Sequence, residues 1–320
     1  MSLWSLCYLA TPWCIHLAAT LRIADHIAAG TSGIADLAVA AEADPESLQR
    51  VLRHLVGRGV FEEPRPGQFA LNDAARELIP ARVGLDLDSF GGRMAHAWST
   101  LLPAVRTGKP AYAEIFGRPF WEDLEAHPGI AADFDALMGP QGHGRPDPEV
   151  LLNAADWAGI RRVVDVGGGT GALLAEVLRM RPAVRGTLVD LPSTVARAAA
   201  MFDGMIDRVT LSGQSFFDPL PAGADLYLLK SVLSDWPDGE ATAILRRCAE
   251  AARPSGRVVL LNGVTPEEKA SPELLMMVLV GGRERTLAEF SVMAREAGLT
   301  VSASRRQQSG KFLVECVPIG

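Results

Sequence analysis

Residues 163–171 decide the fold, and they read VVDVGGGTG: a short apolar run typical of a buried strand, then glycines, then a helical stretch. Glycine adopts positive φ at no steric cost and lets a ligand approach the backbone amides closely. The N-terminus of the following helix favours an anionic group. The segment therefore predicts a nucleotide-type cofactor site, with a purely structural glycine turn as the alternative.

This turn does not by itself identify the cofactor. Gly167 and Gly169, followed by Ala172, also satisfy a loose dinucleotide fingerprint. Asp190 ends the next apolar stretch, where a carboxylate can accept both ribose hydroxyls, and that role suits NAD and S-adenosylmethionine equally. An Asp at a strand end can also be a helix cap, although Ser193 competes for that role.

From residue 162 onward, apolar β-type runs alternate with helical runs. Such alternation predicts an α/β domain with a parallel, doubly wound sheet. The predicted strands cover residues 162–166, 186–189, 209–211, 226–229, 258–261, 300–303 and 312–316, and the predicted helices cover residues 171–180, 192–201, 240–252 and 287–297.

The N-terminal third is predicted to be mainly helical and to contain a winged helix. Asp44 followed by Pro45 is typical of a helix start, and the apolar residues after them repeat with a period of about 3.6. We predict helices over residues 12–29, 34–41 and 45–56, and a hairpin whose strands, 60–61 and 68–71, flank a turn at 64–67.

A winged helix raises the question of DNA binding, because Arg50, Arg53 and Arg58 lie on the outer face of its second helix. The first 100 residues, however, contain eight Arg and no Lys against eleven acidic residues, and the whole chain carries a net charge of −7. Binding to nucleic acid requires positive charge to neutralise phosphates. The composition therefore favours a domain that pairs chains and argues against a nucleic-acid partner.

The overall composition is that of a folded protein of 320 residues, 48% hydrophobic and 22% charged, which is long enough for two domains. No stretch is long and apolar enough to cross a bilayer, the uncharged first 21 residues lack the basic start of a signal peptide, and the four cysteines lack zinc-like spacing. We therefore predict a cytoplasmic protein without a membrane partner. The predicted domains are residues 1–90, 91–150 and 151–320.

Six segments occur in an order that resembles a known family. They are residues 18–26 (AATLRIADH), the winged helix, the glycine turn at 165–171, residues 215–221 (SFFDPLP), residues 229–236 (LKSVLSDW) and residues 281–286 (GGRERT). Together they resemble the class I methyltransferases, specifically bacterial natural-product O-methyltransferases of the carminomycin type, related to the plant caffeate-type enzymes. The resemblance spans nearly the whole chain. It implies a Rossmann-like, seven-stranded sheet preceded by a mainly α winged-helix dimerisation domain, and hence a homodimer.

The resemblance also implies a cofactor, S-adenosyl-L-methionine, which leaves as S-adenosyl-L-homocysteine, and no metal. The implied cofactor contacts are Gly167 and Gly169 at the methionine part, Asp190 and Leu191 at the ribose, Ser215 and Phe216 at the adenine, and Lys230 and Trp236 on the other side of the nucleoside. The predicted acceptor contacts are Trp98, Phe134, Met138, His143, Met276 and Met277. For the methionines, which match pocket positions of the family, plain core packing is the alternative.

The chain departs from the family at the catalytic base. Ser234 stands where the typical member has a His, and Asn262 stands where it has a carboxylate that orients this His. Only the second acidic partner, Glu284, matches, and residues 151–320 contain no histidine. We therefore predict methylation of a phenolic hydroxyl on a small-molecule secondary metabolite through positioning, with Ser234, Asn262 and Glu284 as candidate catalytic residues.

Alternative functions remain open at this stage. Relatives in anthracycline pathways without this His include enzymes that bind the cofactor and support hydroxylation or decarboxylation of a polyketide. His143 or His96, in the middle section, is an alternative source of a base. A regulator that senses the cofactor or a metabolite, and an NAD-dependent oxidoreductase, are the remaining readings.

Overall fold

The computed structural model describes residues 3–139, 157–307 and 309–320, which form two compact units. The first unit comprises Met1–His96 and His127–Phe134, and the second comprises Ala97–Ala126 and Asp135–Gly320. The described residues of the predicted section 91–150, which are residues 91–139, are divided between the two.

The first unit is helical apart from one hairpin. Its elements are α1 (Leu3–Leu6), α2 (Ala10–Thr20), α3 (Ile23–Ala28), α4 (Ile34–Ala40), α5 (Pro45–Val56), β1 (Glu62–Arg65), β2 (Gln68–Ala70), α6 (Asp73–Leu85) and α7 (Phe90–Ala97, which ends one residue into the second unit).

The predicted start of α5 is confirmed. The Asp44 side chain accepts a hydrogen bond from the Ser47 amide at 2.8 Å, which satisfies one of the free amides of the first turn. The apolar stripe of α5 then supplies Leu48, Leu52 and Leu55 to the core of the unit, where all three are buried. Burial of this stripe, rather than helix propensity, accounts for most of the stability of such a helix.

Two predictions in this unit were wrong in detail. The single helix predicted over 12–29 is broken, because Arg22 adopts a left-handed conformation (φ 53°) that redirects the chain and places Ile23 in the core. The hairpin turn is shorter than predicted: Pro64 lies within β1, and only two residues separate Arg65 from its partner Gln68. A proline is tolerated there because β1 belongs to a two-stranded sheet with an irregular register.

The second unit joins short helices to an α/β domain. Before the sheet come a short 3₁₀ turn (Trp98–Thr100), α8 (Leu101–Thr107), α9 (Ala113–Phe116) and α10 (Phe120–Ala126); α11 (Pro128–Met138) begins in the first unit and ends in the second. The remaining elements are β3 (Arg162–Val166), α12 (Ala172–Met180), β4 (Arg185–Asp190), α13 (Pro192–Ala198), β5 (Val209–Gly213), β6 (Leu226–Lys230), α14 (Asp238–Ala252), β7 (Arg257–Leu261), β8 (Val264–Thr265), α15 (Leu274–Leu279), β9 (Arg285–Thr286), α16 (Leu287–Glu296), β10 (Leu299–Arg306) and β11 (Phe312–Pro318).

The predicted sheet is confirmed, with seven strands in the order β10-β11-β7-β6-β3-β4-β5. Five strands are parallel, and β11 pairs antiparallel with both β7 and β10. Apolar clusters cover both faces of the sheet, so β3 and β6 are nearly continuous apolar runs rather than alternating ones. The connections from β3 run to β4 on one side and later to β6 on the other. This change of direction opens a crevice at the carboxyl ends of β3 and β6, where ligands bind in open α/β sheets.

Within the described residues, no helix has both the length and the apolar character needed to cross a membrane.

Candidate active site

The turn between β3 and α12 lies at the carboxyl end of β3, where the crevice opens. Gly167, Gly169 and Gly171 all have positive φ, which explains the run of glycines. A Cβ atom on Gly167 would lie 2.8 Å from a methyl of Val232, whereas a Cβ on Gly169 would meet nothing within 4 Å. The turn is therefore packed on one side and open at Gly169, as expected of a loop that contacts a ligand.

Asp190, at the end of β4, is tied to this turn. One carboxylate oxygen accepts a hydrogen bond from the Gly169 amide at 2.7 Å, and the other accepts one from the Leu191 amide at 2.8 Å. Burial raises the pKa of Asp190 above its usual value, although these two hydrogen bonds lower it. The negative charges of Asp135 and Glu125 add to the rise. A partly buried carboxylate with free lone pairs is thus held beside the open side of the turn.

Asp165, the second residue before the glycines, is completely buried. Within the described part of the chain, neither of its side-chain oxygens has a hydrogen-bond partner. Burial raises its pKa to about 7; the positive charge of Lys230 lowers it, Asp190 raises it further, and the Leu174 amide, whose contact falls outside hydrogen-bond geometry, lowers it least. Such an unsatisfied carboxylate beneath a ligand-binding turn suits a positively charged cofactor.

Aromatic rings follow β5 and β6 at the same edge of the sheet. Phe216 lies against Gly167, 3.4 Å from the position of an added Cβ. The Phe216 and Trp236 rings meet edge to face with centroids 5.7 Å apart, and Trp121 of α10 stacks on Trp236 at 6.2 Å. Ser215 faces its own loop, where its hydroxyl accepts a hydrogen bond from the Phe217 amide at 3.2 Å. These rings offer an apolar surface on which a purine can stack.

A short 3₁₀ turn after β6 carries Ser234, and we call residues 233–236 the 233–236 turn. Two glycines allow other segments to pack directly on it. A Cβ on Gly263 would lie 3.3 Å from the Ser234 amide nitrogen, and one on Gly282 would lie 2.0 Å from the Ser234 carbonyl oxygen. The fold therefore brings Ser234 together with the segments that carry Asn262 and Glu284.

The polar groups around Ser234 have definite partners. The Asn262 side-chain amide donates to the Ser231 hydroxyl at 2.9 Å, and Glu284 accepts from the Ser271 amide at 2.7 Å. Burial raises the pKa of the adjacent Asp235 to about 7, while a hydrogen bond from Ser234 lowers it and the charge of Glu273 raises it. Asn262 and Glu284 thus hold neighbouring loops rather than Ser234 itself.

The sequence matches two models that describe one family. The O-methyltransferase domain model matches residues 98–300, and the O-methyltransferase dimerisation domain model matches residues 4–81. The chain belongs to the O-methyltransferase family. Its fold is also similar to the crystal structure of NcsB1, an O-methyltransferase from neocarzinostatin biosynthesis, in complex with S-adenosylmethionine and 2-hydroxy-5-methyl naphthoic acid. That likeness has a TM-score of 0.92 at 41% identity and covers 100% of this chain and 99% of the other.

Two relatives of this O-methyltransferase are named for different reactions, a methylation and a hydroxylation. It is 43% identical over 305 residues to the 2,7-dihydroxy-5-methyl-1-naphthoate 7-O-methyltransferase of Streptomyces carzinostaticus, covering 92% of this chain and 91% of the relative. It is 39% identical over 317 residues to the aclacinomycin 10-hydroxylase RdmB of Streptomyces purpurascens, covering 94% of this chain and 84% of the relative.

These likenesses confirm the family, the fold class and the cofactor predicted from the sequence: the protein is an S-adenosylmethionine-dependent O-methyltransferase with a class I sheet and a dimerisation domain. The chain's own residues fit this cofactor, since the site combines an open glycine turn, a ribose-type carboxylate, aromatic rings and a buried, unsatisfied Asp165. No group of three or more His, Cys, Asp or Glu side chains that could hold a metal occurs among the described residues.

The predicted acceptor residues of this O-methyltransferase lie in different places. Met276 and Met277 are partly buried on α15, which packs against the 3₁₀ turn that begins with Trp98. Met138 ends α11 and is 39% exposed, so it is available to a ligand. Phe134 belongs to the first unit, where its ring meets Phe90 at 5.1 Å. His143 lies outside the described residues. The alternative base, His96, packs in the first unit against Trp13 with ring centroids 5.1 Å apart.

Sequence reasoning missed three residues of the site. Asp165 was noted only as part of a strand, yet it is the buried carboxylate beneath the turn. Trp121 had no predicted role, because its stacking on Trp236 depends on the tertiary fold. Arg285 lay within the segment 281–286 but received no role. Arg283 and Glu284 beside it are also charged, so no local signal distinguished it from a solvated segment.

Proposed function

We propose that this enzyme methylates a phenolic hydroxyl of a planar, fused-ring aromatic acceptor, and that it does so by positioning rather than with a histidine base. The observation that carries this proposal is the identity of Ser234, which stands on the 233–236 turn where the resemblance implies a titratable imidazole. The lack of any histidine in residues 151–320 supports it. The acceptor class is suggested by the hydroxynaphthoate compounds named for NcsB1 and for the Streptomyces carzinostaticus relative.

In this proposal the protein binds and orients both reactants. Gly167, Gly169, Asp190, Leu191, Ser215, Phe216, Lys230 and Trp236 hold the cofactor. When bound, S-adenosylmethionine supplies a sulfonium methyl group, which passes to the acceptor oxygen while the C–S bond breaks and the phenolic proton leaves to water. Ser234 holds the acceptor oxygen through its hydroxyl, and Asn262 and Glu284 keep the loops beside it in place. Trp98, Met138, Met276 and Met277, which all belong to the second unit, are the proposed contacts of the acceptor.

The magnitudes favour positioning for an acidic phenol. A well-oriented bimolecular reaction gains about 7–11 kcal/mol over the same reaction in solution. A general base contributes about 10²–10⁴-fold, equivalent to about 3–6 kcal/mol, and only where the acceptor is not already ionised. A phenol conjugated with an electron-withdrawing carbonyl is more acidic than an ordinary phenol, so a larger fraction is ionised near neutral pH without such help. Orientation therefore outweighs the missing base for this class of acceptor.

The Ser234→Ala variant tests the role of Ser234. If Ser234 only orients the acceptor, kcat falls less than about tenfold, below the 10²–10⁴-fold loss typical of a missing base. The pH dependence of kcat then follows the acidity of the acceptor phenol and shifts when a more acidic phenol is used. Ser291→Ala, a serine on α16 that bonds the Leu287 carbonyl, is the matched control. A loss of more than about a hundredfold in Ser234→Ala alone would refute positioning.

Hydroxylation is the second candidate, because RdmB is 39% identical over most of this chain. A bound sulfonium can stabilise negative charge on a substrate without giving up its methyl group. Mass spectrometry of turnover over a panel of hydroxynaphthoates and anthracycline-type polyketides separates the outcomes. Gain of CH₂ supports methyl transfer, whereas gain of oxygen or loss of CO₂ would replace it by hydroxylation or decarboxylation, and binding without any turnover would indicate a sensor.

We further propose that the enzyme is a cytoplasmic homodimer. The match to the dimerisation domain over residues 4–81 supports pairing of two identical chains. The cytoplasm is where S-adenosylmethionine is made, and the free cysteines among the described residues suit a reducing compartment.

A further inference from the structure

Arg285 is fully buried and bonds both ends of the 233–236 turn. One guanidinium nitrogen donates to the Leu233 carbonyl oxygen at 2.8 Å, and another donates to the Trp236 carbonyl oxygen at 2.7 Å. These two carbonyls enclose Ser234 and Asp235. The rigid, planar fork of arginine therefore fixes the separation and orientation of the two ends of the turn.

The remaining contacts of Arg285 fix the guanidinium itself. Its Nε donates to a carboxylate oxygen of Asp238 at 2.9 Å, and its first terminal nitrogen also reaches the Arg283 carbonyl at 3.2 Å. Asp238 lies at the start of α14 with a side chain that is 55% exposed, so water can solvate its charge. A buried guanidinium paired with an exposed carboxylate adds little to folding stability, because desolvation offsets the attraction. The contacts of Arg285 are better explained by the fixed geometry that they give to the 233–236 turn.

The packing of Gly282 supports the same conclusion. This glycine leaves room for the Ser234 carbonyl and the Asp235 backbone, which would lie 2.0 and 2.5 Å from an added Cβ. The segment from Gly282 to Arg285 therefore holds the 233–236 turn in two ways. Gly282 packs directly against its backbone, and Arg285 donates hydrogen bonds to the carbonyls at its two ends.

We propose that Arg285 is a positioning residue for methyl transfer, which acts by setting the 233–236 turn. The turn presents Ser234 toward the acceptor and Trp236 toward the cofactor, so a displaced turn impairs both. This inference rests on the proposed function, because it assumes that the acceptor hydroxyl lies against Ser234. A displacement of about 1 Å is enough to reduce a reaction rate about a hundredfold.

The test compares Arg285→Lys with Arg283→Met. Lysine keeps the charge but lacks the fork, so it leaves at least one of the two carbonyls without its donor. Arg283 shares the partner Asp238 but is 41% exposed, and its side chain pairs with Asp238 and Glu289. We expect Arg285→Lys to lower kcat about tenfold to a hundredfold and to weaken S-adenosylhomocysteine binding, and Arg283→Met to behave like the wild type.

Calorimetric titration with S-adenosylhomocysteine separates positioning from simple loss of folding. The binding stoichiometry counts the folded sites, and kcat is expressed per site. Positioning predicts a lower kcat per site at full cofactor occupancy. An unchanged kcat per site, with only fewer sites or a lower Tm, would refute it. Asp238→Asn, which removes the charge that orients the guanidinium, should show a weaker form of the same defect if Arg285→Lys does not fold.

Measurements on the wild-type enzyme distinguish a failure of the proposed function from a failure of the role of Arg285. If the wild type binds S-adenosylhomocysteine but methylates no phenol in the panel, the proposed function fails. If the wild type is active and Arg285→Lys matches it in kcat per site, the role of Arg285 fails alone.

Discussion

Burial gives the Asp165 carboxylate an electrostatic cost. Its carboxyl is fully buried, and burial raises its pKa to about 7 despite the positive charge of Lys230. A pKa above that of the unfolded chain means that the native state binds the extra proton between about pH 4 and pH 7. The contribution of Asp165 to stability is therefore present at acidic pH and is lost as the pH rises through about 7. A cation bound at the glycine turn would offset this loss by stabilising the ionised carboxylate.

We therefore expect the affinity for S-adenosylmethionine to rise with pH. If the bound cofactor keeps Asp165 ionised, Kd should fall about tenfold between pH 6 and pH 8, because the ionised fraction rises by that factor around a pKa of about 7. Calorimetry in buffers of different ionisation enthalpy should show release of a proton on binding at pH 6.

Two substitutions test whether Asp165 causes this pH dependence of Kd. Asp165→Asn should flatten it, whereas Asp235→Asn should leave it in place, although burial also raises the pKa of Asp235 to about 7. Lys230 and Asp190 are the charged groups that act on Asp165 from the neighbouring strands, and neither is altered in these variants. A Kd that depends equally steeply on pH in Asp165→Asn would show that another group releases the proton.

At the scale of an element, the turn between β3 and α12 divides its glycines between two tasks. Gly169 (φ 60°) has open space where a Cβ would stand, and its amide donates a hydrogen bond to Asp190. Gly171 (φ 82°) leads into α12, and its Cβ position lies 2.5 Å from the ring of the buried Phe202. The first glycine leaves room for a ligand, and the second leaves room for the core.

Alanine at Gly169 should mainly weaken binding of S-adenosylhomocysteine, whereas alanine at Gly171 should mainly lower the free energy of unfolding. Both variants carry a left-handed alanine, which costs about 1–2 kcal/mol. Gly171→Ala adds overpacking against Phe202, worth about 1–3 kcal/mol, so its free energy of unfolding in urea should fall further. Gly169→Ala should be the more stable variant but should bind S-adenosylhomocysteine at least about tenfold more weakly, since about 1.4 kcal/mol of lost contact is enough. The opposite order in either measurement would contradict this division.

Elements with a strong local signal could be predicted from the sequence, and the others depend on distant residues. The strand, glycine turn and helix from 163 to 180 follow from periodicity and from the conformations that only glycine adopts readily. The break at Arg22 has no glycine or proline to mark it and depends on how Ile23 reaches the core. Helix α15 lay in a short apolar run with no capping side chain, so nothing local distinguished it from a strand.

The residues of the candidate site also divide into those that could be predicted from the sequence and those whose contacts depend on distant residues. Asp190 could be placed because parallel strands end at one edge of the sheet, and its hydrogen bond to Gly169 follows from that geometry. The partners of Arg285 are 47 to 52 residues away along the chain, at Asp238 and Leu233, and no spacing rule connects them. The order of several weak segments identified the family, whereas the contacts of single side chains required the three-dimensional structure.

At the scale of the whole molecule, the remaining question is what covers the apolar N-terminal segment. Leu3, Trp4, Leu6, Tyr8 and Leu9 are each more than half exposed in the single chain. Single exposed apolar residues are common, but five within seven positions form a patch of the kind that marks a protein interface. The patch lies within or beside residues 4–81, which match the O-methyltransferase dimerisation domain. A second copy of the chain is therefore the expected occupant.

Charges placed in this patch should separate the two chains. Trp4→Glu combined with Leu6→Glu would bury two carboxylates in an apolar interface, at a cost of several kcal/mol for each ion. Light scattering after size exclusion should give the mass of two chains for the wild type and of one chain for the double variant at low micromolar concentration. Ile206→Glu is the control, because Ile206 is 58% exposed but belongs to the second unit, outside the dimerisation domain. A double variant that stays dimeric would place the interface elsewhere, and a monomeric wild type would remove the homodimer altogether.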